Sequence, residues 1–184
     1  MRIIGGTARS MPLKTVKGLD TRPTTDRIKE TLFNIIQSDI PGAVFLDLFA
    51  GSGGIGLEAL SRGAKKAVFV DSSRKAAACI RENIEFTKFQ AAAELKCMDF
   101  MTALRSLEGK YVFDIIFADP PYGRGMAGEV LSCLKKSSLC RQETMIIVEE
   151  SLDFSPEDLS GKGFDIYRIK TYKTNQHIFM KRGS

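Results

Sequence analysis

The chain has 184 residues, 43% of them hydrophobic, enough for one well-buried core and short for two ordinary domains. Its net charge is +5, and it has neither an N-terminal apolar run of signal-peptide type nor anything near the ~18 consecutive apolar residues of a membrane helix, so a soluble, cytoplasmic protein is expected. Cys79, Cys97, Cys133 and Cys140 are widely spaced, form no CxxC pair and are accompanied by one histidine, His177; this argues against a metal site or a disulfide framework and for buried free thiols.

Near the N-terminus, Arg2-Ile3-Ile4 and Lys14-Thr15-Val16 are short β-prone pieces among glycines and suggest a small hairpin. A helix follows, capped by Thr24 or Thr25, with Ile28, Leu32, Ile35 and Ile36 as its apolar stripe. From Val44 onward, short runs rich in valine, isoleucine and phenylalanine alternate with amphipathic stretches, the pattern of a parallel sheet flanked by helices. Strands are expected at Ala43–Leu48, Ala67–Asp71, Ala93–Cys97, Phe113–Ala118 and Met145–Val148, and helices at Gly54–Ser61, Ser73–Glu85, Phe100–Leu107 and Gly125–Ser137. In the second of these helices Ala76, Ile80 and Ile84 share one face. Two alternating segments, Phe164–Thr171 and Lys173–Met180, then read as an antiparallel hairpin closing the sheet edge. Residues 1–40 are an N-terminal extension in this reading, and residues 41–184 the main domain.

Charge is spread unevenly. Residues 1–30 carry seven basic and three acidic side chains (+4), residues 162–184 six basic and one acidic (+5), and the stretch between 14 basic and 18 acidic (−4). A polyanion held by both ends fits this distribution, because lysine and arginine neutralise phosphates; an unevenly charged solvated surface is the plainer alternative.

The run from Val44 to Gly56 sets a carboxylate, Asp47, at a strand end and then a turn, Phe49-Ala50-Gly51-Ser52-Gly53-Gly54, just before a helix. Glycine lets backbone approach a ligand without an intervening Cβ. The second strand ends at Asp71, ~20 residues beyond the turn, where a carboxylate can accept hydrogen bonds from a ribose. Gly51, Gly53 and Gly56 also satisfy the dinucleotide-binding pattern GxGxxG. A pyrophosphate at the helix N-terminus would nevertheless meet an unwelcome negative charge at Asp47. S-adenosylmethionine has no phosphate and carries a sulfonium cation, so it suits the pocket better. Asp99, at the end of the third strand, can accept from an adenine amine with Phe100 packed nearby, or simply cap the following helix.

The most specific signal is Asp119-Pro120-Pro121-Tyr122 after an apolar strand. An exocyclic base amine is a poor nucleophile because its lone pair is delocalised into the ring. The Asp119 carboxylate and the Pro120 carbonyl can each accept one N–H and so localise that pair, the prolines stiffening the loop. Tyr122 offers a flat face on which the base can stack.

Together, Asp47-Leu48-Phe49-Ala50-Gly51-Ser52-Gly53 and Asp119-Pro120-Pro121-Tyr122 resemble Rossmann-like methyltransferases acting on amino nitrogens. Met1-Arg2-Ile3-Ile4-Gly5-Gly6, the segment Thr21 to Asn34, and Gly56 to Ala64 are similar to the bacterial 16S ribosomal RNA guanine-N2 methyltransferase family, over nearly the whole chain. The resemblance implies a mostly parallel seven-stranded α/β sheet with an antiparallel C-terminal hairpin and a small N-terminal hairpin-plus-helix extension. It implies S-adenosylmethionine as cofactor and, as partner, 16S ribosomal RNA within the small subunit or its assembly intermediate. It also places Arg22, Pro23, Thr24 and Arg27 beside the substrate RNA. Nothing points beyond a monomer. A DNA amino-methyltransferase would share the DPPY loop but needs a target-recognition segment for which the chain has no room. An inactive RNA-binding module would have no reason to keep Asp47, Asp71, Asp119 and Tyr122 together.

Overall fold

The computed structural model describes residues 1–16 and 25–183. Residues Met1–Met98 form one unit and Asp99–Ser184 a second.

In the first unit α1 (Asp26–Ile35) begins where the Thr25 hydroxyl accepts the Ile28 N–H at 3.3 Å. The unit continues through β1 (Val44–Leu48), α2 (Gly54–Ser61), β2 (Lys66–Asp71), α3 (Arg74–Thr87) and β3 (Ala93–Cys97). β2 pairs in parallel with β1 and with β3, and the alternation of strand and helix makes each return crossover a helix. The buried face of α3 contains Ala76, Ile80 and Ile84, as the periodicity predicts.

α1 differs from the expected stripe. Lys29, Leu32 and Phe33 are its buried residues, with Ile36 just beyond, while Ile28 and Ile35 are half-buried. The helix is rotated toward Lys29 because that ammonium has buried partners: its Nζ donates to the Arg2 carbonyl at 2.5 Å and lies 3.3 Å from Glu58 Oε2. Burial still lowers the Lys29 pKa, against the pull of Glu58.

The expected N-terminal hairpin is reduced to one antiparallel bridge, Arg2 to Pro12, and Lys14-Thr15-Val16 joins no strand. Backbone groups here are satisfied by α2 instead. Glu58 accepts the N–H groups of Ile4 and Gly5, both at 2.8 Å, and Ser61 Oγ donates to the Gly5 carbonyl at 2.5 Å and accepts from Ala8 N–H at 2.9 Å. At Gly6, with φ +78°, a Cβ would fall 1.7 Å from the Ser61 carbonyl oxygen, so only glycine allows this approach. With the N-terminal arm laid on it, every residue of α2 is buried.

The second unit contains α4 (Phe100–Leu107), β4 (Phe113–Ala118), α5 (Met126–Leu134), β5 (Cys140–Ser151), a 3-10 turn at Pro156–Leu159, β6 (Phe164–Thr171) and β7 (Asn175–Arg182). β4 and β5 are parallel; β7 runs antiparallel between β5 and β6. β5 is much longer than the expected Met145–Val148. Polar, exposed Arg141, Gln142 and Glu143 conceal its start from a hydropathy reading, and pairing with β7 carries it on to Ser151. The strand order is β3-β2-β1 in the first unit and β4-β5-β7-β6 in the second.

The four cysteines are free, and Cys79 and Cys140 are buried. Cys97 and Cys133 are exposed, contrary to expectation, because Cys97 ends the edge strand β3 and Cys133 lies off the buried face of α5. Among the described residues no helix is long and apolar enough to cross a membrane.

Candidate active site

In the first unit the turn after β1 is wound through left-handed backbone at Phe49 (φ +62°), Gly51 (φ +58°) and Gly53 (φ +79°). A bulky residue such as Phe49 rarely adopts this conformation, which costs ~1–2 kcal/mol, and such strain gathers at ligand-binding turns. An added Cβ at Gly51 would meet nothing within 4 Å. Its face is therefore open for a ligand to reach the backbone directly. Gly53 serves as N-cap of α2, and Gly56 has a packing reason: a Cβ there would lie 2.3 Å from the Phe69 ring.

Two carboxylates hold the turn from below and from the side. Asp47, 1% exposed, accepts the Gly56 N–H through Oδ2 at 2.8 Å. Burial pushes its pKa up to about 7, the Gly56 hydrogen bond acting against the rise and the Asp71 charge adding to it. Asp71 is half-buried at the end of β2; its Oδ2 accepts Gly51 N–H and its Oδ1 accepts Ser73 N–H, each at 2.8 Å. A carboxylate offers about four lone-pair sites, so two remain for ribose hydroxyls. The open Gly51 face and this pre-aimed carboxylate suit a nucleoside cofactor. Ala50 and Ser52 enter through backbone: Ala50 N–H donates to the Val70 carbonyl at 2.9 Å, and the Ser52 carbonyl accepts from Asn83.

Asn83 is a site residue that the sequence reading missed. Its amide donates to the carbonyls of Ser52, at 2.9 Å, and Lys14, at 3.0 Å, and accepts Lys14 N–H at 2.9 Å. It thereby ties the cofactor turn to α3 and to the N-terminal arm. A lone asparagine in a helix carries no spacing signal that reveals this.

In the second unit Asp99 is the N-cap of α4 and accepts Thr102 N–H at 2.9 Å. Hydrogen bonds from Thr102, hydroxyl first and then N–H, hold its carboxyl below the usual range. The capping role is thus realised, and Phe100 behind it is buried. β4 ends at Ala118 and delivers the loop: Asp119 is half-buried, Pro120 buried and Pro121 exposed. Tyr122 is 42% exposed, yet its hydroxyl donates to Glu149 Oε1 at 3.1 Å. Burial and the Glu149 carboxylate push the Tyr122 pKa well above the phenol range, so it is a fixed, protonated ring. Glu149, Asn175 and His177, all buried around that hydroxyl, were also missed. The one available signal was Glu149-Glu150 at the carboxyl end of an apolar strand, the same placement that marks Asp71 and Asp99.

Arg27 is exposed in the first turn of α1. Arg22, Pro23 and Thr24 lie outside the described residues.

The family model described as "Conserved hypothetical protein 95" matches residues 1–181. A Bacillus subtilis protein, YlbH, named as a candidate rRNA methyltransferase, is 35% identical over 185 residues, spanning 100% of both chains. Escherichia coli "Ribosomal RNA small subunit methyltransferase D" is 36% identical over 155 residues, covering 83% of this chain and 76% of its own length. Among solved structures, yhhF from Escherichia coli, titled a candidate methyltransferase, superposes with a TM-score of 0.86 at 33% identity, covering 99% of this chain and 97% of that one.

Proposed function

The chain belongs to the Conserved hypothetical protein 95 family, and on that premise we propose that it is an S-adenosylmethionine-dependent methyltransferase of small-subunit ribosomal RNA, acting on the N2 amine of a guanine. The observation that carries this reading is the Asp119–Tyr122 loop. A half-buried carboxylate and a stiff diproline precede an aromatic residue that is 42% exposed and whose hydroxyl is held.

The residues divide the work. Asp71 takes the ribose hydroxyls, and the open backbone of Gly51, with Phe49, Ala50, Ser52 and Gly53, lines the rest of the cofactor. Asp47 acts from beneath, holding the turn through Gly56. Asp99 and Phe100 border the adenine. When bound, S-adenosylmethionine supplies an electrophilic methyl group on sulfur. Asp119 and the Pro120 carbonyl each accept one N–H of the guanine amine, drawing its lone pair out of conjugation with the ring. Tyr122 stacks on the base, an interaction worth ~1–3 kcal/mol in comparable sites. After transfer the nitrogen loses one proton, and the Asp119 carboxylate is the base placed to receive it.

Arg22, Pro23, Thr24 and Arg27, with the basic N-terminal 40 residues, would meet the RNA. Residues 1–40 are in this sense an RNA-facing extension of the methyltransferase domain at 41–184. The protein would work as a cytoplasmic monomer on the small subunit or its assembly intermediate.

Labelled methyl transfer to small subunits lacking the modification, to naked 16S ribosomal RNA and to duplex DNA, followed by nucleoside mass spectrometry, tests the proposal. N2-methylguanosine in the ribosomal samples alone supports it. Label in DNA, or none in any sample, overturns it.

A further inference from the structure

The C-terminal hairpin reaches the DPPY loop through a chain of buried side chains. Glu149 on β5 stands directly opposite His177 on β7, and Asn175 is two residues away on the same face. Glu149 Oε1 accepts from the Tyr122 hydroxyl at 3.1 Å and from Asn175 Nδ2 at 2.5 Å, while Oε2 meets His177 Nε2 at 3.0 Å. His177 Nδ1 lies 3.0 Å from the Tyr172 hydroxyl. One tautomer satisfies both neighbours: Nε2–H donates to the carboxylate and Nδ1 accepts from Tyr172. The imidazole is fully buried and held edge-on by Phe117, with ring centroids 5.7 Å apart, and by Tyr172, at 4.9 Å.

This network has the wrong form for stability alone. Glu149, Asn175 and His177 occupy interior positions, and the next residues on the same face of their strands, Ile147 and Phe179, are apolar and buried. Asn175 Oδ1 is buried without a hydrogen-bond partner among the described residues, a destabilising arrangement. Reversing the amide would aim that oxygen at the Glu149 carboxylate, so the orientation is imposed by the need to donate to Glu149. Through His177 the network reaches the Tyr172 hydroxyl, and through Glu149 it reaches the one polar side-chain atom of Tyr122, a residue that is 42% exposed.

We infer that Glu149, fixed by Asn175 and His177, is a positioning residue that clamps the Tyr122 hydroxyl and so sets the plane on which the target base stacks. The inference rests on the proposed base-methylating role of the Asp119–Tyr122 loop. The tether stops the ring swinging about χ1, and because a phenolic O–H prefers the plane of its own ring, aiming that bond at Glu149 also restrains rotation about χ2, so the base arrives with its amine already aimed at Asp119 and Pro120. Orientation of this kind appears in the rate of the chemical step more than in binding.

A double-mutant cycle tests it, with kcat, KM and cofactor affinity measured on small-subunit RNA. Glu149→Ala and Tyr122→Phe should each lower kcat ~10-fold with cofactor affinity unchanged, and the double variant should be no slower than either alone. Glu149→Gln, which still accepts from Tyr122 and can donate to His177, should restore most of the rate. Multiplicative losses in the double variant, or a Glu149→Ala enzyme with wild-type kcat, would overturn the inference.

A second measurement needs neither RNA nor turnover. In NMR of tyrosine-labelled wild-type protein and of the Glu149→Gln variant, the Tyr122 hydroxyl proton should exchange with solvent far more slowly than it does in Glu149→Ala. Equal exchange would sink the clamp. Wild-type protein that methylates no RNA but shows a protected Tyr122 hydroxyl would instead refute the proposed function and leave the clamp standing.

Discussion

Asp47 Oδ2 accepts the backbone N–H of Gly56 at 2.8 Å, which binds the end of β1 to the first turn of α2 beneath the glycine turn. That carboxylate is buried, and its pKa rises from its ordinary value of 3.8 to about 7. The folded protein therefore holds the proton more tightly than the unfolded chain does. Its contribution to stability is complete below about pH 3.8 and is lost as the pH rises through about 7. Asp47→Asn has no charge to bury, so its melting temperature relative to wild type should climb between pH 5 and pH 8, by the equivalent of on the order of 2 kcal/mol. Thermal melts across that range check this; a difference independent of pH would refute it.

Asp119→Ala should lower methyl transfer by at least ~100-fold, the usual scale for a positioned catalytic group, with S-adenosylmethionine affinity nearly intact. Single-turnover transfer and calorimetry on the same preparation separate the two. Unchanged turnover would remove Asp119 from the mechanism.

Asp71→Ala should weaken cofactor binding ~10-fold or more, because it removes charge-assisted hydrogen bonds to the ribose and also releases Gly51 N–H and Ser73 N–H. Calorimetric titration with S-adenosylhomocysteine reads the effect. An unaltered dissociation constant would contradict the ribose role.

Gly56→Ala places a methyl group 2.3 Å from the Phe69 ring. Overpacking of this kind typically costs ~1–3 kcal/mol. Denaturant melts should show that loss, and a companion Phe69→Leu should recover part of it by opening the space. A fully stable Gly56→Ala protein would mean that the ring yields freely.

Lys29→Met strips the buried Glu58 carboxylate of one partner, leaving Arg62, whose Nε is 2.8 Å from Oε1, together with the Ile4 and Gly5 N–H groups. Breaking a buried pair from one side typically costs ~3–5 kcal/mol. The loss should be much smaller in Lys29→Met/Glu58→Gln, because no buried charge is then left uncompensated. Equal destabilisation of the two proteins would argue that packing, not charge, holds the N-terminal arm.

Elements with a clean period are legible in the sequence alone. Gly54–Ser61, Phe100–Leu107, Ala93–Cys97, Phe113–Ala118 and Phe164–Thr171 fall where expected because each is a short apolar or amphipathic run with turn residues at its ends. The misreadings share a cause. α1 turned toward Lys29 because a distant carboxylate meets a group that hydropathy places in solvent. β5 began at Cys140, five residues before Met145, because pairing with Phe113 of β4 extends the strand through exposed Arg141, Gln142 and Glu143. Asp71, Asp119 and Tyr122 stood out as motif residues at strand ends; Asn83, Glu149, Asn175 and His177 carried no motif.

By itself, the sequence determined that strands would alternate with helices, that a glycine turn and a carboxylate would follow the first two strands, and that a stiff DPPY loop would follow a buried strand. These are local consequences of side-chain period, of the conformational freedom of glycine and of the rigidity of proline. Only the tertiary structure decided which polar groups lie buried and with whom: Asp47 against Gly56, Lys29 against Glu58, and Tyr122 against Glu149. Such groups, 9, 29 and 27 residues apart in the chain, meet through strand register and helix docking. Their energies come from desolvation and hydrogen bonding at the point of contact, which no local pattern encodes.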